Sequence, residues 1–242
     1  MNRRKYAALI VGSVVTGGVV SGRSVEEPRA RHGDDGPLGG DGREVRTESP
    51  ASETGPSDPA EPRTFSGSGT ATTDEFDLNA GPVAATFVHE GESNFIVELL
   101  TLAGESYEDV SLVNRIGRVS GSQVAEVRAD GAHVLNVDAD GPWEMALEQP
   151  TDPDVGALPT EATGAGLSFL GPIGFDGPTE TTGSHDGESN FIVETVPLDP
   201  EAFGTLVFNE IGRFEGSTTA RIDGPAFVNV VADGEWDLSF AP

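Results

Sequence analysis

The second half of this chain repeats its first half. Residues 91–98 read Gly-Glu-Ser-Asn-Phe-Ile-Val-Glu, and the same eight residues return at 187–194. An Asn-x-Ile-Gly-Arg motif repeats at 114–118 and 209–213, and an Asp-Gly-x-Trp motif repeats at 140–143 and 233–236. The spacing between partners shrinks slightly along the chain, as expected where loops vary in length and strands do not. The chain therefore contains two copies of one module, and its function is to be sought in what each copy presents.

The first 23 residues have the pattern of a targeting segment. Arg3, Arg4 and Lys5 precede an apolar stretch at 7–20, and small residues follow at Ser21-Gly22. Twin arginines before an apolar stretch this short resemble an export signal more than a bilayer span. We predict a signal peptide or anchor at 1–23 and an exported or cell-surface protein, with membrane contact only if the segment is uncleaved. The chain has no cysteine, which excludes disulfides and lipid attachment.

Charge composition indicates the setting. The chain has 14 basic and 41 acidic residues, and Lys5 is its only lysine. Residues 24–242 hold 10 basic and 41 acidic residues, a net charge of −31. Such a chain repels itself at low salt, whereas at molar salt the Debye length falls to about 3 Å and the repulsion is screened. The composition resembles that of proteins from extreme halophiles, and it excludes nucleic acid as a partner because no basic surface is available.

Hydrophobic patterning predicts the fold class. Apolar residues alternate with polar ones after both tryptophans, at 143–148 and 236–240, and no segment has a sustained helical period. Asp140-Gly141 and Asp233-Gly234 precede these strands, and Asp-Gly favours a hairpin turn. We predict an all-β protein with two tandem antiparallel, jelly-roll-like β-sandwich modules of seven or eight short strands each. The expected boundaries are a disordered acidic linker at 24–63, the first copy at 64–150, a linker at 151–163 and the second copy at 164–242.

The three motifs together support a resemblance. The order Gly-x-Ser-Asn-Phe-Ile-Val, Asn-x-Ile-Gly-x-x-x-Gly, Ala-Asp-Gly-x-Trp runs from 91 to 143 in the first copy; the second copy runs from 187 to 236, with Glu210 and Glu235 at variable positions. It resembles an uncharacterised exported module of haloarchaeal and some bacterial secreted proteins, loosely similar to jelly-roll domains attached to secreted enzymes. The resemblance implies a β-sandwich on an exported protein and carries over no catalytic residue.

The acidic loops suggest the hypothesis that this chain binds a calcium ion. Asp138, Asp140 and Asp233 lie in loops expected at one end of a sandwich, and calcium prefers carboxylate and carbonyl oxygens. Plain Asp-Gly turns are the alternative explanation. No other cofactor is predicted.

The remaining polar and aromatic motifs have structural explanations. A Ser/His/acid triad built on His89 and Ser93, or on His185 and Ser189, lacks the Gly-x-Ser-x-Gly nucleophile elbow, so a polar turn is favoured. Trp143 begins an alternating face, as Trp236 does, which favours core packing over sugar stacking.

Export, repetition, a long linker and the absence of a catalytic set lead to one functional prediction. We expect a non-catalytic protein that binds, or forms part of, the cell envelope, with an envelope protein or glycan as partner. The alternative is a free secreted carbohydrate- or small-ligand-binding protein, in which a pocket would be lined by matching residues of both copies. A hydrolase is the third class considered, and it would need a catalytic set that neither copy shows.

Overall fold

The computed structural model describes residues 62–102 and 109–242, so the expected signal segment and the linker up to residue 61 lie outside it. In the described residues every regular element is a β-strand, which confirms the all-β prediction. The described strands of the first copy are β1 (Arg63–Ser68), β2 (Ala71–Thr72), β3 (Phe76–Leu78), β4 (Gly81–His89), β5 (Asn94–Thr101), β6 (Val110–Ile116), β7 (Val119–Val127), β8 (Gly131–Ala139) and β9 (Pro142–Glu148). Those of the second copy are β10 (Gly156–Ala157), β11 (Thr160–Ala165), β12 (Ser168–His185), β13 (Asn190–Pro197), β14 (Leu206–Ile211), β15 (Phe214–Val231) and β16 (Glu235–Ala241).

The strands of the first copy form a sandwich-like pair of antiparallel sheets. One sheet has the order β1-β9-β4-β7, and the other has the order β2-β8-β5-β6 with β3 also paired to β8. Both sheets contribute alternate residues to one apolar core, including Phe87 and Met145 from the first sheet and Phe95 and Leu135 from the second. Burial of these alternating faces is the main stabilising contribution.

In the second copy the same strand pairings appear within a single sheet. Its order is β11-β16-β12-β15-β13-β14, and β12 and β15 are 18 residues long, so the prediction of short strands is wrong here. Gly177 and Gly224 have positive φ within these long strands. The equivalent Gly81 and Gly131 begin β4 and β8, also with positive φ. Glycine tolerates this backbone, and the strand is interrupted just before these positions in the first copy and is continuous through them in the second.

Each copy has its own core, and each core includes a tryptophan. Trp143 is 3% exposed and Trp236 is 1% exposed. Their indole N–H groups donate to the backbone oxygens of Gly69 and Gly166, at 3.0 and 3.3 Å. The interpretation of both residues as core tryptophans is therefore confirmed.

The Asp-Gly turns do not make hairpins, so that prediction is wrong. β8 pairs with β5, β2 and β3, whereas β9 pairs with β1 and β4 in the other sheet. In the second copy β16 likewise pairs with β11 and β12 and not with β15. Asp140-Gly141 therefore carries the chain from one sheet to the other, and Asp233-Gly234 joins two strands of one sheet that do not pair with each other. In both copies the aspartate side chain bonds a different turn, as described below.

The segment expected as a linker at 151–163 contains strand residues. β10 pairs in parallel with β12, and β11 pairs with β16 in the register that β1 makes with β9. The prediction relied on the prolines and aspartates of 150–154, which end before β10. The strands of the second copy therefore begin within that segment.

A buried amide joins the two copies. The Asn229 side-chain oxygen accepts from the Val124 N–H at 2.8 Å, and its amide nitrogen donates to the Val124 carbonyl at 2.7 Å. Both residues are 3% exposed. Leu167 packs against the first core, and its carbonyl accepts from the Ser122 N–H at 3.2 Å. The Asn229 amide thus bonds the Val124 N–H and carbonyl at the outer edge of β7, as the backbone of a neighbouring strand would.

Among the described residues the structure contains no helix that is long and apolar enough to cross a membrane.

Candidate functional site

In the first copy, the turn of the Gly-Glu-Ser-Asn motif and the turn of the Asp-Gly-x-Trp motif contact each other through their backbones. The β4–β5 turn includes Gly91, and the β8–β9 connection includes Gly141. A Cβ placed on Gly141 would lie 2.6 Å from Gly91 Cα and 2.7 Å from Gly91 N. Gly234 stands in the same relation to Gly187, with 2.6 Å from such a Cβ to the Gly187 N. Only glycine permits this approach, which explains the glycines in both repeated motifs.

The aspartate before each of these glycines holds the facing turn. Asp140 Oδ2 accepts from the backbone N–H groups of Glu92 and Ser93, both at 3.0 Å. In the second copy, Asp233 accepts in the same way from Glu188 at 3.2 Å and Ser189 at 3.0 Å. Charge-assisted bonds of this kind are stronger than bonds between neutral groups, so the aspartate fixes the turn.

A buried histidine links this cluster to a third motif. His89 is 1% exposed and stacks on Phe95, with ring centroids 4.6 Å apart. Its Nδ1 lies 2.9 Å from the Gly117 carbonyl, and since a carbonyl only accepts, Nδ1 must carry the hydrogen. His185 makes the equivalent contact with Gly212 at 3.0 Å and stacks on Phe191.

The other ring nitrogen faces the aspartate. His89 Nε2 lies 3.4 Å from Asp140 Oδ1, and His185 Nε2 lies 3.2 Å from Asp233 Oδ1. Neither contact has the alignment of a hydrogen bond. We interpret both as close electrostatic contacts, since the distances are short although the direction is poor. A nucleophilic triad would require one histidine nitrogen directed at serine, and here the two nitrogens face a carbonyl and a carboxylate.

The environment of each carboxylate lowers its pKa. For Asp140, the hydrogen bond from the Ser93 N–H is the largest cause, and the Glu92 N–H and the charge of His89 add to it against desolvation. For Asp233, desolvation is the largest influence and raises the pKa, but the bonds from Ser189 and Glu188 and the charge of His185 together outweigh it. In both copies the folded state thus favours the ionised carboxylate.

This preference predicts a specific acid sensitivity. A carboxylate with a lowered folded pKa stabilises the protein above its unfolded pKa, about 3.9 for aspartate, and this contribution is lost as the pH falls through the folded value. The Asp140→Asn/Asp233→Asn protein should melt below the wild type at pH 7, and the gap should narrow as the pH is lowered from 7 to below about 4. Calorimetry at fixed KCl measures this, with Glu144→Gln, an exposed carboxylate of β9, as control. A gap that is constant across this range would contradict the assignment.

The calcium candidates are not gathered together. Asp140 and Asp233 serve separate turns, and Asp138 Oδ1 accepts from the Thr70 hydroxyl at 3.3 Å. Within the described ranges no three His, Asp or Glu side chains form a group that could hold a metal ion. A cation at Asp140 would compete with the two N–H donors and the histidine. Calcium binding stays a prediction, and an unchanged melting midpoint at millimolar calcium in concentrated KCl would contradict it.

The histidine and the turn together fix the connection between β6 and β7, two strands that lie in different sheets and do not pair with each other. Gly117 lies in this two-residue turn with φ of +84°, and Gly212, between β14 and β15, has φ of +80°. The Gly117 N–H donates to the Ser93 carbonyl at 2.7 Å, and the Gly212 N–H donates to the Ser189 carbonyl at 2.7 Å. Both polar groups of this glycine are therefore bonded to the cluster, which holds the turn in one position.

Around this fixed glycine, each copy presents the same exposed side chains. We call each set a turn tip. The first tip consists of Glu92, Ser93, Asn94, Asn114, Ile116 and Arg118, and the second of Glu188, Ser189, Asn190, Asn209, Ile211 and Arg213; all twelve residues are exposed. Ile116 and Ile211 are each 79% exposed. Asn94 lies directly opposite Ile116 in the β5–β6 pair, as Asn190 lies opposite Ile211, so these side chains share a face.

Several positions outside the tips differ between the copies, although Thr86 with Thr182 and Glu98 with Glu194 are identical exposed pairs. The exposed Ser120 of the first copy corresponds to Glu215 in the second, and the half-buried Glu126 corresponds to the exposed Arg221, a reversal of charge. Among the large apolar residues exposed in the described ranges, Ile116 and Ile211 are the one pair at equivalent positions. Of the described arginines, only Arg118 and Arg213 are equivalent to each other.

The sequence interpretation missed the tips. It explained the Asn-x-Ile-Gly-Arg and Gly-Glu-Ser-Asn motifs as turns. The glycines and the backbone contacts of both motifs do form turns. The sequence did offer one signal, because side chains that no turn requires are identical in the two copies. Exposure, which separates these side chains from core residues, is visible only in the structure.

No protein-family model and no curated protein matches this chain. Among solved structures it aligns with the stem and receptor-binding domain of the spike protein P1 of bacteriophage PM2, over 78% of this chain and 81% of that chain. The sequence identity is 6% and the TM-score is 0.15, a value too low to bear on fold or function.

Proposed function

We propose that this is an exported, non-catalytic protein of a halophile that binds the cell envelope through its two turn tips. The observation that carries the proposal is the pair of tips. Twelve exposed side chains form two identical sets, and the hydrogen bonds that hold them in place involve the backbone of Ser93 and Gly117 and not the tip side chains. Side chains that the fold does not need, yet that both copies retain, are best explained by a shared partner.

Two equivalent sites on one chain suit an extended, repetitive surface. When two tips engage linked targets, the second binding event is intramolecular, and avidity can exceed the affinity of either tip by about 10² to 10⁴. An envelope made of many copies of its components supplies such targets. The targeting pattern at 1–23 and the net charge of the remaining chain support the exported, high-salt setting.

A junction groove favours the second candidate, a free secreted ligand-binding protein. The groove encloses about 450 Å³ and is lined by polar residues from both copies, including Glu126, Arg128, Glu194 and Asn229. Its size suits a small ligand. However, the lining residues are not equivalent positions of the two copies, so the groove lacks the matching residues expected of a repeated site.

Cell fractionation in native salt tests the proposal and separates the two candidates. We expect the full chain to sediment with the envelope and to resist washing in concentrated KCl. Recovery in the cytoplasm would contradict export. Recovery only in the medium would favour the free ligand-binding protein and its groove.

A further inference from the structure

We infer that each turn tip inserts its isoleucine into an apolar pocket on an acidic envelope protein, with a carboxylate of that protein paired to the neighbouring arginine. This inference rests on the proposed function and names the chemistry of its partner. The tip residues Ile116 and Arg118 form the first contact, and Ile211 and Arg213 form the second.

The apolar part of the proposed contact follows from the molar salt in which the protein is expected to act. At molar salt, attraction between charges fades beyond about 3 Å, so long-range steering contributes little. Recognition then depends on direct contact and on burial of apolar surface. Ile116 and Ile211 offer this surface, because each is 79% exposed and is held beside a glycine whose N–H and carbonyl are both bonded. A rigid, exposed apolar side chain loses little entropy on binding.

The charged part follows from the composition. Residues 24–242 carry a net charge of −31, yet Arg118 and Arg213 place a guanidinium at the same exposed position in both copies. Arginine binds carboxylates through two parallel hydrogen bonds, and such a contact persists at short range in high salt. The complementary partner surface is therefore acidic.

The same features favour a protein over a lipid surface. Membrane binding by a surface segment typically uses a broad apolar face with several cations. Each tip instead has one isoleucine and one arginine, together with an exposed glutamate, Glu92 or Glu188. One apolar side chain beside one cation fits a pocket of defined shape.

Retention of the full chain on envelopes from cells that lack the protein tests this inference. Binding is measured in concentrated KCl for Ile116→Ser, Ile211→Ser and the double variant, with Arg118→Gln/Arg213→Gln as a second double variant. Phe203→Ser is the matched control, since Phe203 is 94% exposed and has no counterpart in a tip. Melting midpoints establish that every variant is folded, as expected for changes at exposed side chains.

We expect each single isoleucine variant to weaken retention at least about 10-fold, as loss of a buried isoleucine does, and the double variant to abolish saturable binding. The arginine double variant should also weaken retention, and Phe203→Ser should bind as the wild type does. Full retention of the isoleucine double variant would overturn the inference and leave the envelope role standing. Failure of the wild type to bind would overturn both. Equal binding to protein-free vesicles of the envelope's lipids, lost in the same variants, would overturn the choice of a protein partner.

Discussion

Replacement of Asn229 by alanine should lower the free energy of unfolding by about 2 to 6 kcal/mol, because it strands the Val124 N–H and carbonyl in a buried junction, at about 1 to 3 kcal/mol for each group. The two bonds it removes are 2.8 and 2.7 Å long. Chemical denaturation at fixed KCl, followed by tryptophan fluorescence, measures the loss. Trp143 lies in the first core and Trp236 in the second, so the combined signal covers both.

The first copy supplies a matched control for this prediction. Asn136 is the equivalent of Asn229, pairing with Glu98 in β5 as Asn229 pairs with Glu194 in β13. It is only half-buried, and its amide donates to the Glu98 carboxylate at 3.3 Å. Asn136→Ala should therefore cost less than about 1 kcal/mol. Equal losses for the two substitutions would show that the junction does not depend on the Asn229 amide.

The second large effect is expected at the glycine contacts. Gly141→Ala would place a methyl group 2.6 Å from Gly91 Cα, and because the neighbour is backbone, the turn itself must move. We expect a loss of about 3 kcal/mol or more from overpacking and from the broken Asp140 bonds. Gly234→Ala should act alike in the second copy, where such a methyl would lie 2.6 Å from the Gly187 N.

Gly156→Ala is the control for these variants. A Cβ there would lie 3.5 Å from the Pro172 carbonyl oxygen, an ordinary contact. Its effect should stay within about 0.5 kcal/mol. Because the cluster also holds the turn tip, Gly141→Ala should weaken envelope retention even at temperatures where the core is intact. Wild-type stability in Gly141→Ala would contradict the contact.

Local patterns predicted the strands well, because alternation reports directly on burial. The faces of β9 and β16 alternate as the sequence indicates, with Trp143 and Trp236 inside. The prediction that failed was which strands pair with each other across the Asp-Gly turns. Asp140-Gly141 has the composition of a hairpin turn, yet it crosses between sheets because Asp140 bonds the backbone of residues 92 and 93, far away in the chain. A local turn propensity does not reveal that the aspartate accepts from such distant donors.

Side-chain roles were also hard to predict, because they depend on contacts with residues far away in the chain. Asn136 and Asn229 occupy the same motif position, and only the packing of the copies makes one half-buried and the other essential to a junction. Likewise, the three repeated motifs were interpreted separately. The structure shows that the buried His89 and the two turns it contacts bring them to one point.

The most direct test of the account is carboxylate-specific cross-linking on intact cells in native salt, followed by mass spectrometry. Amine reagents are unsuitable because residues 64–242 contain no lysine. The account predicts that Glu92 and Glu188, the acidic residues of the two turn tips, both become joined to the same envelope protein. Cross-links that avoid both tips, or a protein found only in the medium and joined to nothing, would contradict it.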